Sequence, residues 1–336
     1  MEIKDKVVLI TGASAGIGLA SSAALYLSLG LLAALWLCYA LQPDPLAAVT
    51  FWPAYVWALP GVALVIPMMR RRSLRARALL ILPWVLFVLV NREEFSLSRY
   101  IGSPQHQGIR IVSLNCAGGS MAAAREAFKS RPDIILLQET PSERDLRKLC
   151  KEYYGDDTGE AASVLCGLDC SIIARGRIRP YDLGSVLLEC TAGTVFLRGV
   201  ELDVASVRFV PPVFRTDIWS PDCWRTQAEN RRIRRAQLRA VMDALNAKAK
   251  GAPLIVGGDF NAPARDGALR EMTPRLHDAF ADAGRGWGNT VINGFPIQRA
   301  DQIWVSDEFR PFQVFAEKTR NSDHRMVVCY TAVRTR

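Results

Sequence analysis

The sequence predicts an α+β fold: a two-sheet β-sandwich flanked by helices in four layers (αββα), preceded by an all-α membrane anchor of two or three transmembrane helices. Two observations predict it. Long uncharged apolar runs crowd into the first 95 positions, and beyond position 108 short apolar strands alternate with turns, with helices between only some of them. Composition agrees. Half of the 336 residues are hydrophobic and the mean hydropathy is +0.09, too apolar for a purely soluble chain and opposed to disorder. Of the formal net charge of +9, residues 101–336 keep only +5 (33 basic against 28 acidic), an ordinary, mildly basic globular part. The 8 cysteines are too few for a small disulfide scaffold in a chain of this length. The expected organisation is a leader at 1–20, an anchor at 21–95 and a globular domain at 105–336.

The leader comes first. Lys6-Val7-Val8-Leu9-Ile10-Thr11-Gly12-Ala13-Ser14-Ala15-Gly16-Ile17-Gly18 resembles the first strand and glycine turn of short-chain dehydrogenases. An apolar run then begins where the second strand should come, and no Tyr-x-x-x-Lys pair follows anywhere. A lone strand and turn cannot bury a sheet, so the leader is read as non-functional and no nicotinamide cofactor is expected. The anchor follows. No charge interrupts the chain between Lys6 and Asp44, and residues 23–41 would cover about 28 Å as a helix, close to the hydrocarbon thickness of a bilayer. A second run at 47–69 has Trp52, Tyr55 and Trp57 near its start, as at a membrane interface, with Pro53, Pro60 and Pro67 as expected kinks. The third, at 76–91, has an uncharged part reaching only about 21 Å, so it spans if Arg75 and Arg77 snorkel. Arg70, Arg71, Arg72, Arg75 and Arg77 mark the loop before it as cytoplasmic, and Lys4 and Lys6 agree. Three crossings would make the chain an integral protein of a bacterial inner membrane with an extracytoplasmic domain; two would keep the domain inside.

In the globular part, strands are expected at 109–114, 134–138, 171–174, 195–197, 205–209, 254–257, 302–305 and 326–330, and helices at 122–129, 144–152 and 229–248. Several strands are unbroken apolar runs, as when both faces are covered. Polar groups stand at their ends: Asn115, Glu139, Asp259 with Asn261, Asp301, and Ser322-Asp323-His324. Singly each is an ordinary strand terminus or turn former. Together, carboxylates and amides are hard ligands for Mg²⁺ or Mn²⁺ rather than zinc, and such an ion beside a histidine is equipment for hydrolysing a phosphate ester. Cys166-x-x-x-Cys170 lacks a second pair at metal spacing, and the 7 cysteines of the domain leave at least one thiol free.

Leu114-Asn115-Cys116, Gln138-Glu139-Thr140, Gly258-Asp259-Phe260-Asn261, Ala300-Asp301-Gln302-Ile303-Trp304 and Ser322-Asp323-His324 resemble, in order and spacing, the motifs of the endonuclease/exonuclease/phosphatase superfamily over about 108–332. The resemblance implies Glu139 as main metal ligand, with Asn115 and Asp323 near the metal or a second metal position. It implies that Asp259 and Asn261 align the nucleophile and hydrogen-bond phosphoryl oxygens. His324 would be general base or electrostatic partner of the phosphate, its tautomer fixed by Asp301; which of Asp259 and His324 takes the proton stays open. The chain departs from the pattern at Arg208, where many members carry a second histidine. Arginine cannot serve as a base but can clamp a phosphate bidentately. The implied activity is Mg²⁺-dependent phosphodiester hydrolysis of nucleic acid or a phospholipid headgroup, next to a lipid bilayer. The alternative is a silent member that binds a phosphorylated lipid or a partner protein. Arg231, Arg232, Arg235 and Arg239 share an arc of about 100° on the expected helix 229–248, a face for phosphates or an ordinary solvated one.

Overall fold

The computed structural model describes residues 2–69, 73–96, 108–155, 162–183, 189–212, 214–248 and 251–334, with the backbone alone for 2–21 and Met68. It divides into two compact units, Met1–Arg92 and Glu93–Arg336.

The first unit is helical: α1 (Glu2–Leu41), α2 (Ala47–Thr50), α3 (Ala54–Met69) and α4 (Leu74–Asn91). Residues 6–18, which resemble a strand and glycine turn and are expected to be a non-functional leader, lie inside α1, where their apolar residues extend the helix. Ser22–Leu41 and Leu74–Asn91 are long and apolar enough to cross a membrane. The second apolar run is not one straight helix: Asp44–Thr50 and Ala54–Pro67 meet at 75°, a third span only if counted as a bent one. Pro53 sits at that break, where it cannot donate to a continuing helix, whereas Pro60 and Pro67 are absorbed within α3. Of the arginine-rich loop, Arg70–72 lie outside the described residues, and Ser73 caps α4 through Ala76 N.

A polar pin joins these helices. Ser28 Oγ donates to Gly61 O (2.9 Å) and accepts from Trp84 Nε1 (3.0 Å), so these buried polar groups are satisfied among apolar side chains. Gly61 is required there, since a Cβ on it would lie 1.9 Å from the Trp84 ring, while one on Gly30 meets nothing within 4 Å. Gly61→Val is expected to cost about 1–3 kcal/mol by overpacking. Gly30→Val should leave the detergent-solubilised unfolding midpoint unchanged.

The second unit holds β1 (Phe95–Ser96), β2 (Ile109–Asn115), α5 (Met121–Lys129), β3 (Ile134–Gln138), α6 (Glu143–Tyr154), β4 (Ser163–Cys166), β5 (Cys170–Ala174), β6 (Arg177–Pro180) and β7 (Cys190–Leu197). There follow β8 (Val200–Arg208), α7 (Pro221–Lys248), β9 (Leu254–Asp259), β10 (Leu276–Asp278), α8 (Ala279–Ala283), β11 (Gly286–Trp287), β12 (Asp301–Ser306), β13 (Phe309–Glu317) and β14 (Met326–Val333). One sheet runs β13-β14-β2-β3-β5-β4, the other β10-β12-β9-β8-β7-β6, and β1 pairs with β11 alone.

Four layers result, and the apolar runs explain them. On β2 and β3, Ile111, Ile134 and Leu136 face the other sheet's Val195, Val204, Ile255 and Ile303. Their neighbours Val112, Leu114, Ile135 and Leu137 face outward onto Phe128 of α5 and Leu146 and Leu149 of α6. On the far side Val207 and Val256 meet Leu238, Val241 and Leu245 of α7. A strand covered on both faces has no polar face to show, hence unbroken hydrophobicity.

The short elements β1, β4, β6, β10, β11 and α8 were not foreseen, and three further points need correction. β13 was not foreseen, because Pro311 and a register shift at Pro311/Gln313 break its alternation. Helix α7 starts at Pro221 rather than near 229; proline at a first helical position loses no needed N–H. The basic face on α7 is not a free one: Arg231 is buried on Asp266 (3.0 Å), Arg232 pairs with Glu229 and Arg239 with Glu271. All eight cysteines are free thiols.

Candidate active site

Pairing places the strand ends together. β2 and β3 are parallel, so Asn115 lies in register with Gln138. β8 and β9 are parallel and β12 is antiparallel to β9, so Arg208, Asp259 and Asp301 are in register. Gln138 Nε2 donates across the sandwich to Ser206 Oγ (3.1 Å), which donates on to Leu137 O (3.1 Å). This link ties the two sheets directly beneath the strand ends.

Above it runs a connected line of polar groups. Asp301 Oδ2 bonds His324 Nδ1 (2.8 Å), and one ligand atom each of Asp259, Asp301 and His324, all buried, lies within 4.8 Å of the others. Asn115 Nδ2 donates to Asp259 Oδ2 (3.1 Å) and to Glu139 Oε1 (3.2 Å). Glu139 Oε1 also receives Arg208 Nη2 (2.8 Å), and Arg208 Nη1 reaches Asp169 Oδ2 (3.0 Å). Asn261 N donates to Asp259 Oδ1 (2.9 Å), and its side-chain amide is held on Phe209 O (2.8 Å).

Two of these residues have left-handed backbones, Glu139 at φ 45° and Asn261 at φ 51°. Asparagine tolerates that region; glutamate does so at a cost, offset here because the turn aims its Oε2 at Gly118 N (2.5 Å). Thus Asn115, Glu139, Arg208, Asp259, Asn261, Asp301 and His324 are brought together. Asp323 adjoins them in the chain, but its side chain is exposed, and its carbonyl accepts Asn293 N (2.7 Å). His277 lies elsewhere, paired with Asp282, and His106 lies outside the described residues. Asp169 was missed: in Gly-Leu-Asp-Cys it reads as a turn former, and its partner is 39 positions away.

Electrostatics follow from burial and pairing. Burial disfavours the His324 imidazolium, yet Asp301, by charge and hydrogen bond, and Asp259 outweigh it and lift the pKa to about 10. Burial and the Asp301 charge raise Asp259 to about 6, against the opposing pull of His324. Glu139 is held below the usual carboxylate range: burial opposes this, but bonds from Asn115 and Gly118 and the Arg208 charge prevail. A histidine raised on folding stabilises the native state fully below its unfolded pKa, near 6.5, and loses that contribution as pH rises through about 10. Thermal unfolding between pH 6.5 and 10 should therefore show a decline in wild type that is smaller in Asp301→Asn.

The carboxylates suit a hard divalent cation: Glu139 and Asp259 present oxygens linked through the Asn115 amide nitrogen, Asn115 Oδ1 accepts Ala117 N (2.9 Å), and Asp301 Oδ1 is buried with no hydrogen-bond partner among the described residues. The Asp259–Asp301–His324 group could also hold an ion, although His324 Nδ1 is already committed to Asp301.

Residues 112–324 match the model of the Endonuclease/Exonuclease/phosphatase family. Among solved structures, a protein of that family from Bacteroides thetaiotaomicron superposes with a TM-score of 0.53 at 13% identity, covering 68% of this chain and 98% of its own. One from Bacteroides vulgatus gives 0.51 at 13%, covering 68% and 99%. A Bacteroides thetaiotaomicron mannosyl-6-phosphatase gives 0.50 at 14%, covering 67% and 99%. At these identities the likeness is one of fold. A search of curated proteins found no significant match.

Proposed function

The chain belongs to the endonuclease/exonuclease/phosphatase family, and from that premise we propose that it is a membrane-anchored, divalent-metal-dependent phosphoesterase that cleaves phosphodiesters by in-line attack of water. The observation that carries this reading is the convergence of Asp301–His324 and Asp259–Asn115–Glu139–Arg208, two hydrogen-bonded runs whose Asp301, His324 and Asp259 ligand atoms lie within 4.8 Å of one another at one end of the sandwich.

Glu139 and Asn115, with Asp323 beside His324 in the chain, would hold Mg²⁺ or Mn²⁺. When bound, the ion supplies positive charge to the phosphate oxygens. The rest falls to the chain. Asp259, raised to about 6 and oriented by Asn261 N and Asn115 Nδ2, takes a proton from the attacking water near neutral pH. His324 is the cationic member, held on Asp301, and meets the charge that develops on the phosphoryl oxygens. Arg208 and Asn261 bind the phosphate, Arg208 with its fork steadied by Asp169. The proposed organisation is a helical anchor at about 21–95, built on apolar spans within it, and a catalytic domain at 105–336. With three crossings that domain would be extracytoplasmic at a bacterial inner membrane.

Substrates carrying a large apolar or planar group beside the phosphate are the candidates, because exposed Leu168 precedes Asp169 in the chain and exposed Phe214, Ile218 and Trp219 follow Arg208 within about eleven positions. Both a nucleic acid and a phospholipid headgroup with its chains answer that description. A panel of single- and double-stranded DNA, RNA, sphingomyelin and inositol phosphates, with the full chain in detergent and with or without EDTA, separates them. EDTA-sensitive turnover of one class supports the reading; binding without turnover of any supports the silent member, which the Arg208–Glu139 pair favours.

A further inference from the structure

His324 leaves a loop whose backbone is tied down from two sides. Asn293 Nδ2 donates to Thr319 O (2.8 Å), Thr319 Oγ1 (3.0 Å) and Ser322 O (2.8 Å). Thr319 Oγ1 donates to His324 O (2.6 Å), and Ser322 Oγ to Asn115 O (2.8 Å). The opposite side is held by one group from α5. Glu126 Oε1 accepts Arg320 N (3.1 Å), Asn321 N (3.0 Å) and Asn321 Nδ2 (2.6 Å), and Oε2 accepts Arg320 N (3.0 Å).

Glu126 is only 8% exposed and shares the buried face of α5 with Ala123, Ala124, Ala127 and Phe128. A leucine would fill that space without the cost of drying a carboxylate, so packing does not account for the glutamate; only donors that replace its lost water do. All of those donors come from residues 320–321, immediately before Ser322-Asp323-His324. Helix α5 is itself rooted beside Asn115, through Ser120 N on Cys116 O (2.8 Å). Glu126 therefore spans from the strand that carries Asn115 to the loop that carries His324, and fixes the distance between two halves of the site.

We propose that Glu126 is a positioning residue for His324, an inference that rests on the hydrolytic reading above. It touches neither substrate nor metal; it sets the loop from which the imidazole reaches Asp301. Glu126→Ala should lower kcat roughly ten- to a hundredfold, as expected when a catalytic group drifts by up to an ångström, while KM stays within about twofold because Arg208 is untouched. Glu126→Gln keeps an oxygen where Oε1 takes all three donors and should restore most of kcat.

Should Glu126→Ala fail to fold, Asn321→Asp serves instead, since Asn321 is exposed and the change sets a second carboxylate against Glu126. Its kcat should fall similarly. The substrate-free readout is the Nδ1 proton resonance of His324, assignable among only 3 histidines. It should shift or broaden in Glu126→Ala and in Asn321→Asp, and return in Glu126→Gln. An unmoved resonance with wild-type kcat, or a loss confined to KM, overturns the proposal. A wild type that turns over nothing overturns the hydrolytic reading instead, and the resonance still decides whether Glu126 positions the histidine.

Discussion

Asp259→Asn is expected to reduce Mg²⁺-dependent turnover of a generic phosphodiester by roughly a hundred- to ten-thousandfold, the range for loss of a positioned general base. The substitution keeps the shape and one oxygen, so the acceptor for Asn261 N at Asp259 Oδ1 survives. What is lost is the capacity to take a proton near pH 6, together with the acceptor for Asn115 Nδ2. His324→Ala should match it in size, by removing the cation that Asp301 sustains. Because the two groups face one another, the double variant should be little worse than either single one. Steady-state kinetics on the detergent-solubilised chain, with melting curves to show that the fold persists, checks both. Full activity of His324→Ala would remove the histidine from the chemistry.

Arg208→Ala carries the second largest expectation, and it acts in two directions. Hydrogen bonds to charged groups contribute about 1.5–3 kcal/mol, so losing the phosphate clamp should lower kcat/KM by roughly ten- to a hundredfold, mainly through KM. The same change frees Glu139 Oε1 from its 2.8 Å ion pair and removes the cation beside it. Mn²⁺ should then bind more tightly than in wild type, measured by titration calorimetry without substrate. Lysine at this position should not restore KM, since a point charge cannot reach Glu139 and Asp169 with two fixed donors as the guanidinium does. Unchanged KM together with unchanged Mn²⁺ affinity would mean that the Arg208 pair is structural only.

The fold was legible where chemistry was local. Strands β2, β3 and β9 announced themselves as apolar runs because both faces are packed, and each carries a polar residue at or just beyond its end because the chain there leaves the core. Those ends gave Asn115, Glu139 and Asp259, and the Ser-Asp-His turn gave His324. What stayed hidden depended on distant partners. Asp169 is an unremarked turn residue until Arg208 arrives from 39 positions away, and Glu126 looks like any helix charge until the 320–321 loop closes over it. Arg231 misled for the same reason: an arc of arginines on an isolated helix looks solvated, yet Asp266 draws this one inside. The leader follows the same logic of missing partners. Its glycines suit a phosphate-binding turn, but without a sheet to join, the segment continues as helix α1.

Hydrolysis of phosphate esters at the Glu139–Asn115–Asp259–His324 cluster, with water as the nucleophile, is the activity on which every assigned role depends. Turnover of a phosphodiester by the full-length chain in ¹⁸O-labelled water, with Mg²⁺ and then with EDTA, measures this most directly. The expected result is one labelled oxygen in the phosphoryl product and loss of turnover on chelation. Hydrolysis that persists undiminished in EDTA, or a product that carries no label, would contradict it.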